Sequence, residues 1–246
     1  MKVLLAGATG TLGRSLSPKL RARGHEVLGL TRDPAKRTQL QAAGVEPIVA
    51  DALDRLDLLT AVDGLGADAV IHELTALKKA PRRHGDMQMT NRLREEGTAN
   101  LLAAASQLGA TRFLVQSMIF GYGFFDHVDK VVTEADEFGP SGHGRFDRHA
   151  QALRRAEDQV LEAAGIDGVS LRYGLLYGAD PSIMAMAEML RRRRLPVPRG
   201  GGGVPHGCGL RMPPTQQSRL SSGEGRARPT TSSMTSPYLG LTSCAL

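Results

Sequence analysis

The sequence predicts an α/β fold built on a doubly wound parallel sheet. Short apolar runs alternate with segments of helical periodicity along the first 180 residues, and such alternation produces βαβ units. The apolar runs end at glycine or polar residues, as buried strands do at the edge of a sheet. With 246 residues, the chain is long enough to bury the core of one such domain.

The individual elements follow from these patterns in chain order. Apolar runs of the length typical of buried parallel strands predict strands at residues 2–6, 25–32, 45–51, 67–76, 111–117 and 168–178. Helical spacing of apolar residues predicts helices at 11–23, 34–43, 53–62, 91–108 and 151–164. Doubly wound sheets bind ligands at the carboxyl ends of their strands, so functional residues are expected where each strand ends.

A glycine-rich turn, GATGTLG at residues 7–13, follows the first strand and opens the first helix. A tight turn needs residues without Cβ, bare backbone lets a pyrophosphate approach, and a helix N-terminus offers N–H groups to it. We therefore expect this turn to bind a dinucleotide. The expected contacts come from its glycines and their neighbours: Gly7, Thr9, Gly10, Thr11, Leu12 and Gly13. The alternative is a tight strand-to-helix turn without a ligand.

The ends of the second and third strands carry polar residues. The second strand ends at Arg32, where an NAD site usually has a carboxylate for the ribose 2′-hydroxyl; an arginine suits the 2′-phosphate of NADP instead. We expect NADP as the preferred cofactor and NAD as the alternative, while Arg32 could also be a solvated charge. Asp51 and Ala52 are placed to meet the adenine edge, and Asp51 is nearly as well suited to cap the helix at 53–62.

Five segments together resemble one known family. They are GATGTLG (7–13), Asp51-Ala52, TNRLREEGTANLL (90–102), VQSMIFGYG (115–123) and LRYGLLYG (171–178). They are similar to the extended short-chain dehydrogenases/reductases, the NAD-dependent epimerase/dehydratase group, and resemble an actinobacterial branch of it. The resemblance covers about residues 1–198. It implies a Rossmann-type fold with the nicotinamide near the ends of strands four to six. The implied cofactor contacts in this region are Leu74, Thr75, Ala76, Asn91, Tyr173, Gly174 and Leu175.

The sequence departs from this family in its catalytic residues. The family's chemistry rests on a tyrosine followed four residues later by a lysine, which lowers the phenol pKa so that the tyrosine exchanges a proton with the substrate oxygen. None of the tyrosines, Tyr122, Tyr173, Tyr177 and Tyr238, has a lysine at this spacing. The resemblance places His149 and Leu153 at the two positions, and Ser117 at the catalytic serine. His149 could replace the acid or base, because its ordinary pKa is near neutrality. Alternatively, it is a solvated helical histidine.

These residues leave the function open between two classes. The first is an oxidoreductase or epimerase-like enzyme that acts on a small carbonyl or nucleotide-sugar substrate, with Ser117 orienting the substrate oxygen. The second is a non-catalytic, redox-sensing or regulatory protein that binds the dinucleotide. An inactive truncated product would also fit the sequence.

The C-terminal part of the chain predicts no packed structure. We expect a dinucleotide-binding domain at residues 1–180, a helix that begins a substrate subdomain at 181–198, and an irregular tail at 199–246. Gly, Pro, Ser and Thr make up 26 of the 48 tail residues, a composition that does not pack on its own. The substrate subdomain is therefore expected to be truncated or garbled.

The codons that the tail requires suggest its origin. Read from the third base of each codon, TTSSMTSP (230–237) permits Asn-Ile-Val-Asp-Asp-Glu, similar to a strand that members of the family carry downstream. RMPPTQQ (211–217) read in the same way permits Asp-Ala-Ala-Asn-Ala-Ala, similar to a helix start in these proteins. Our hypothesis is that the tail is the gene of the substrate subdomain read after a frameshift.

Charge, cysteines and hydropathy bear on partners and location. The net charge is +6, but residues 199–246 carry five arginines against one glutamate, so the body is close to neutral and nucleic-acid binding is not expected. No apolar run reaches the about 18 residues of a membrane span, and the first apolar run is too short for a signal peptide. We expect a cytoplasmic protein without membrane contacts.

No metal site is expected in the body of the chain. Both cysteines, Cys208 and Cys244, lie in the tail, and His72 and His84 lack metal-ligand spacing. The expected partners are the dinucleotide and a small-molecule substrate, and a homodimer is left open.

Overall fold

The computed structural model describes residues 1–78, 81, 83–123, 132–139, 144–177, 184, 188–189, 191–192 and 207–209. Its contacts divide into two units, Met1–Tyr173 and Gly174–Leu246, each of which is described by itself. Most of the helix predicted at 181–198 and of the tail at 199–246 lies outside the described residues. The domain bounds of the sequence analysis therefore stay predictions.

A six-stranded parallel sheet forms the first unit. Its strands are β1 (Lys2–Ala6), β2 (Glu26–Thr31), β3 (Glu46–Val49), β4 (Ala69–His72), β5 (Arg112–Met118) and β6 (Asp167–Tyr173). They lie in the order β3-β2-β1-β4-β5-β6, and every neighbouring pair is parallel. The prediction of a doubly wound sheet is confirmed. The strand order reverses between β1 and β4, which is where such sheets bind their ligands.

Helices lie between the strands close to where they were predicted. They are α1 (Thr11–Ala22), α2 (Arg37–Ala42), α3 (Arg55–Ala61), α4 (Gln88–Arg92), α5 (Thr98–Leu108) and α6 (Asp147–Leu161). The helix α6 begins four residues before its predicted start, because His149 already belongs to the face that it buries. A 3-10 turn, Pro34–Lys36, replaces the predicted first turn of α2.

The long helix predicted at 91–108 is interrupted by a π-helical turn. This turn, Leu93–Gly97, separates α4 from α5. The His72 ring nitrogen Nε2 hydrogen-bonds to the Leu93 carbonyl oxygen at 3.3 Å, which gives that carbonyl a partner outside the helix. Single π turns of this kind occur frequently at functional sites. Here the turn begins two residues after Asn91, one of the predicted cofactor contacts.

Apolar side chains of α3, α5 and α6 form a core with one face of the sheet. Leu58, Leu101 and Val160 from these helices are fully buried in one cluster with Phe113 and Val115 of β5. Each buried side chain of this size contributes about 1.5–3 kcal/mol of hydrophobic stabilisation. This core fixes the strand ends that carry the candidate site.

The described strands of the second unit are β7 (Leu175–Tyr177) and β8 (Gly207–Gly209), which pair in parallel. The strand predicted at 168–178 is therefore two strands, β6 and β7, interrupted at Gly174. Among the residues described in the two units, no helix is long and apolar enough to cross a membrane.

Candidate dinucleotide site

The glycine turn between β1 and α1 leaves no room for side chains at two positions. Gly7 has φ +96°, and a Cβ there would lie 2.7 Å from the carbonyl oxygen of Glu73. A Cβ at Gly13 would overlap the carbonyl oxygen of Gly7. Gly10 caps α1 without a side-chain hydrogen bond, and its N–H donates to the Gly7 carbonyl at 2.9 Å. This bare backbone at a helix N-terminus fits the pyrophosphate of a dinucleotide.

The other predicted contacts of the turn lie on the same loop and the first turn of α1. The Thr9 carbonyl accepts a hydrogen bond from Arg14 at 2.9 Å, while Thr11 and Leu12 begin α1. The Ser17 hydroxyl donates to the Gly13 carbonyl at 2.7 Å, one turn earlier in α1.

At the end of β2, Arg32 is exposed while the neighbouring carboxylate is already engaged. Asp33 accepts a hydrogen bond from the Ala35 N–H at 3.0 Å and caps the 3-10 turn ahead of α2. The Asp33 N–H in turn donates to the Thr31 hydroxyl at 3.2 Å. The Arg32 guanidinium is exposed and the Asp33 carboxylate is already hydrogen-bonded, which favours an anionic ligand at this strand end.

Asp51 forms a local turn rather than a helix cap. Its carboxylate accepts from the Leu53 N–H at 2.9 Å, and its own N–H donates to Asp57 at 2.8 Å. The residue that caps α3 is Asp54, so the alternative role of Asp51 as the helix N-cap is wrong. Ala52 is buried, and its carbonyl accepts from Asn100 at 2.9 Å.

The segment after β4 is held by hydrogen bonds from α4 and from β4 itself. Thr90 accepts a hydrogen bond from the Ala76 N–H at 3.2 Å, and its hydroxyl lies 3.4 Å from that of Thr75. The Leu74 N–H donates to His72 Nδ1 at 3.2 Å. The structure thereby brings the predicted contacts Leu74, Thr75 and Ala76 to the same sheet edge as the glycine turn, through the Gly7–Glu73 contact.

His72 is a neutral structural histidine. Its Nδ1 accepts from the Leu74 N–H and its Nε2 faces the Leu93 carbonyl, so the proton lies on Nε2. Burial lowers the pKa of His72 to about 4. This neutral ring joins the end of β4 to the π-helical turn.

Asn91 and His149 meet in a hydrogen-bonded chain. The Asn91 amide nitrogen lies 2.9 Å from His149 Nδ1, and the Asn91 oxygen accepts from the buried Arg94 at 3.4 Å. Because Arg94 fixes the amide orientation, Asn91 donates to Nδ1 and the His149 proton lies on Nε2. That nitrogen lies 2.9 Å from Nδ1 of the exposed His84. The chain therefore runs from buried Arg94 to a histidine at the surface.

His149 is buried, so its alternative interpretation as a solvated histidine is wrong. Only 7% of its surface is exposed, and the Phe146 ring packs edge-on against it. Its pKa is lowered by burial and by the neighbouring His84, Arg94 and Arg148. These neighbours favour the neutral imidazole.

Ser117 is the penultimate residue of β5 and is completely buried. Its hydroxyl has no hydrogen-bond partner among the described residues. On the neighbouring strand β6, the Ser170 hydroxyl is also buried and has no such partner. Ser170 pairs with Val115, so it lies two residues further from the carboxyl end of the sheet than Ser117 does. Since buried hydroxyls are rarely left unpaired, the Ser117 hydroxyl at the strand end is suited to a ligand atom.

Tyr173, at the end of β6, forms a buried pair with Glu73, which follows β4. The Tyr173 hydroxyl donates to Glu73 Oε1 at 2.7 Å. Burial raises the pKa of Glu73 to about 7, against the opposing effect of this hydrogen bond. Burial and the Glu73 carboxyl raise the pKa of Tyr173 well above 10. Gly174 and Leu175 belong to the second unit and stay predictions.

An ion pair fixes the end of β6 against α6. Arg172 donates to both carboxylate oxygens of Glu157, with 2.7 Å as the shortest distance, and to the Tyr122 hydroxyl at 2.7 Å. The guanidinium also lies 4.5 Å from the centre of the Phe138 ring. Such bidentate pairs fix geometry as well as charge.

Sequence reasoning missed four polar residues of this edge, namely Glu73, Thr90, Arg94 and the pairing partner His84. Glu73 carried a usable signal, because an acidic residue directly after a fully buried strand is unusual. The roles of Thr90, Arg94 and His84 depend on contacts between distant segments, which no local pattern reveals.

Three comparisons relate this chain to known proteins. A family model described as NAD(P)H-binding matches residues 7–192. The chain is 36% identical over 213 residues to a 3-diazoavenalumate denitrifying reductase of a Streptomyces species, covering 83% of this chain and 66% of that protein. It is 32% identical over 199 residues to a 2-alkyl-3-oxoalkanoate reductase of Stenotrophomonas maltophilia, covering 79% of this chain and 57% of the relative. The chain thus spans less than two thirds of the length of these relatives.

A solved structure shares the fold. The UDP-glucose-4-epimerase of Stenotrophomonas maltophilia, which has NAD bound, superposes with a TM-score of 0.62 over 85% of this chain and 70% of its own, at 20% identity.

Proposed function

The chain belongs to the NAD(P)H-binding family, and we propose that within this family it is a reductase that transfers hydride from NADPH to a small carbonyl compound. The relatives named as reductases support this class of reaction. The observation that carries the proposal is the fully buried Ser117 hydroxyl at the end of β5, which lacks a partner among the described residues.

Residues of the first unit would hold the cofactor along the carboxyl edge of the sheet. The glycine turn, residues 7–13, would bind the pyrophosphate, Arg32 the 2′-phosphate, and Asp51 with Ala52 the adenine. Toward the nicotinamide the contacts would come from Leu74, Thr75, Ala76, Asn91 and Tyr173. The bound cofactor supplies the hydride.

The residues of this chain would orient the substrate and move the proton. The Ser117 hydroxyl donates a hydrogen bond to the substrate oxygen, which polarises the carbonyl. Both ring nitrogens of His149 are engaged, by Asn91 and by His84, so His149 does not act alone. We assign the acid role to the His84–His149 pair, in which the exposed His84 exchanges protons with solvent and Asn91 positions His149.

The second candidate function is a dinucleotide-binding protein without turnover. It is favoured by the absence of a tyrosine with a lysine four residues later and by the double engagement of the His149 ring. In this function the occupied site would report the redox state of the cofactor.

A turnover assay separates the two functions. The purified chain is incubated with NADPH and a panel of 3-oxo acids, aldehydes and aryl ketones, while the loss of reduced nicotinamide is followed. Ser117→Ala should lower kcat by about 100-fold or more with unchanged NADPH affinity. Ser170→Ala, the matched loss of a buried hydroxyl one strand away, should leave kcat close to wild type. NADPH binding without turnover of any carbonyl compound would reject the reductase and support the second function.

We also propose that residues 199–246 are read out of frame. Support comes from the family match, which ends at residue 192, and from the two codon patterns in the tail. Sequencing of the gene around codons 196–205 should reveal an insertion or deletion. A gene without one, whose alternative frame is interrupted by stop codons, would contradict the frameshift.

A further inference from the structure

Glu73 is built into the glycine turn through its backbone. Its N–H donates to the Ala6 carbonyl at 2.8 Å, at the end of β1. Its own carbonyl packs so closely against Gly7 that a Cβ there would lie 2.7 Å away. Glu73 thus follows β4 at the position where the strand order of the sheet reverses, beside the turn that marks the family.

Among the described residues, the buried Glu73 carboxyl has one hydrogen-bond donor. The residue is 5% exposed, and Oε1 accepts from the Tyr173 hydroxyl. The second oxygen, Oε2, is buried and has no partner among the residues that the structure describes. A buried carboxylate with one donor lacks the compensation that an ionised group needs. The arrangement therefore favours the neutral acid, which carries a proton on Oε2.

The groups that surround this carboxyl supply little opposing charge. The glycine turn, residues 7–13, packs against the backbone of Glu73 and has no titratable side chain. His72, its neighbour in the chain, is neutral and tied to Leu74 and Leu93. Tyr173 of β6 is the facing titratable group, and it stays protonated. In agreement with this environment, the pKa of Glu73 is raised to about 7.

The neutral acid would need a hydrogen-bond acceptor at Oε2, because buried donors are rarely left unpaired. A dinucleotide at the glycine turn brings phosphate, ribose and carboxamide oxygens to this region. An ionised Glu73 would instead repel the pyrophosphate. We propose that Glu73 binds the dinucleotide as a neutral carboxylic acid, so that cofactor binding takes up a proton at pH values where Glu73 of the free protein is ionised.

This inference rests on dinucleotide binding and not on the reduction reaction. A ligand that binds one form of a protein has its apparent Kd raised as that form becomes scarce. The apparent Kd should therefore rise by up to about tenfold per pH unit above about pH 7, where Glu73 ionises. Below about pH 7, ionisation of Glu73 should contribute no change in the apparent Kd.

Calorimetric titration of the full chain with NADP⁺ tests the inference. It is performed between about pH 6 and pH 8.5 in two buffers of different ionisation enthalpy, which counts the protons taken up. Glu73→Gln keeps a neutral donor at the same position, and its Kd should not rise with pH. At pH 8.5 the variant should take up about one proton fewer than wild type, and near pH 6 the two should take up the same number. Since the ligand is the same, titration of its 2′-phosphate cancels between the two proteins.

Tyr173→Phe provides a second test if Glu73→Gln has no cooperative melt. Loss of the hydroxyl that stabilises the ionised form should move the rise in Kd to higher pH. Equal pH dependence and equal proton uptake in wild type and Glu73→Gln would overturn the inference. So would a Kd that falls with rising pH, an unshifted profile in Tyr173→Phe, or no binding of NADP⁺ by the wild type. Turnover is not measured, so failure of the reductase proposal leaves these results valid.

Discussion

Gly13 and Gly7 pack so closely that a Cβ atom at Gly13 would overlap the Gly7 carbonyl oxygen and lie 2.6 Å from Cα of Ala8. The first turn of α1 and the loop before it are therefore in direct backbone contact. The shape of the glycine turn depends on this contact, and so does the proposed pyrophosphate site.

Gly13→Ala should distort the turn and abolish detectable NADPH binding. Overpacking of this kind also costs about 1–3 kcal/mol of stability, which lowers the melting temperature. Gly85→Ala is the matched control, because a Cβ there meets nothing within 4 Å and its φ is not positive. Fluorescence titration with NADPH measures the effect. Wild-type affinity in Gly13→Ala would remove the glycine turn from the binding site.

Arg32→Asp should reverse the cofactor preference. Loss of a charged hydrogen bond to the 2′-phosphate costs about 1.5–3 kcal/mol, so the Kd for NADPH should rise by about 10- to 100-fold while the Kd for NADH changes little. Arg23→Asp makes the same charge change at the C-terminal end of α1, at the opposite edge of the sheet, and should leave both constants unchanged. Parallel titrations with the two cofactors decide this, and an equal loss of affinity for both would refute the role of Arg32.

His84→Asn should slow turnover without weakening cofactor binding. Asparagine retains an acceptor for His149 Nε2–H but cannot bind and release a proton as an imidazole does. We expect kcat to fall by about 100-fold and its dependence on pH to flatten, with an unchanged KM for NADPH. His25→Asn, ahead of β2, serves as the control. A kcat profile identical to wild type would show that the His84–His149 pair carries no proton.

The adjacent residues His72 and Glu73 should give opposite contributions to stability as pH changes. The pKa of Glu73 rises on folding from 4.5 to about 7, so its stabilising contribution is present below pH 4.5 and is lost as the pH rises to about 7. The pKa of His72 falls from 6.5 to about 4, so its contribution is present above pH 6.5 and is lost as the pH falls toward 4. Between about pH 4.5 and pH 6.5, the stability lost from Glu73 as the pH rises is therefore offset by the stability gained from His72.

Glu73→Gln should remove the pH-dependent contribution of Glu73 to stability and leave that of His72. Above about pH 7 the variant should be more stable than wild type by about 3 kcal/mol, and near pH 4 it should match wild type, because a shift of one pKa unit is worth about 1.4 kcal/mol. Urea unfolding at the two pH values measures the difference, with Glu26→Gln at the exposed start of β2 as the control. A stability difference that does not change with pH would contradict the raised pKa.

Much of the fold could be predicted because its signals are local. The apolar run of β1 and the glycines at residues 7–13 specify a strand, a turn and a helix within one short segment, and each of the six sheet strands was predicted. The ends of elements were less accurate. The π-helical turn Leu93–Gly97 contacts His72, which is distant in the sequence, and no spacing of apolar residues predicts the turn.

The candidate site was predictable only where its residues belong to a local sequence motif. Residues carried by a motif, such as Gly13 and Ser117, were found from the sequence, whereas the partners of His149 were not. Its burial depends on the packing of α4 and α6 and on the placement of His84, which come from separate segments. The surrounding charges in its own helix suggested a solvated residue, and tertiary contacts overrode that local signal.

A thermal melt of the purified protein tests most directly whether this chain binds a dinucleotide with a preference for NADPH. NADPH at about 100 times its Kd should stabilise the fold by about 2.7 kcal/mol, and NADH at the same concentration should stabilise it less. A cooperative melt with no shift by either cofactor would contradict the claim.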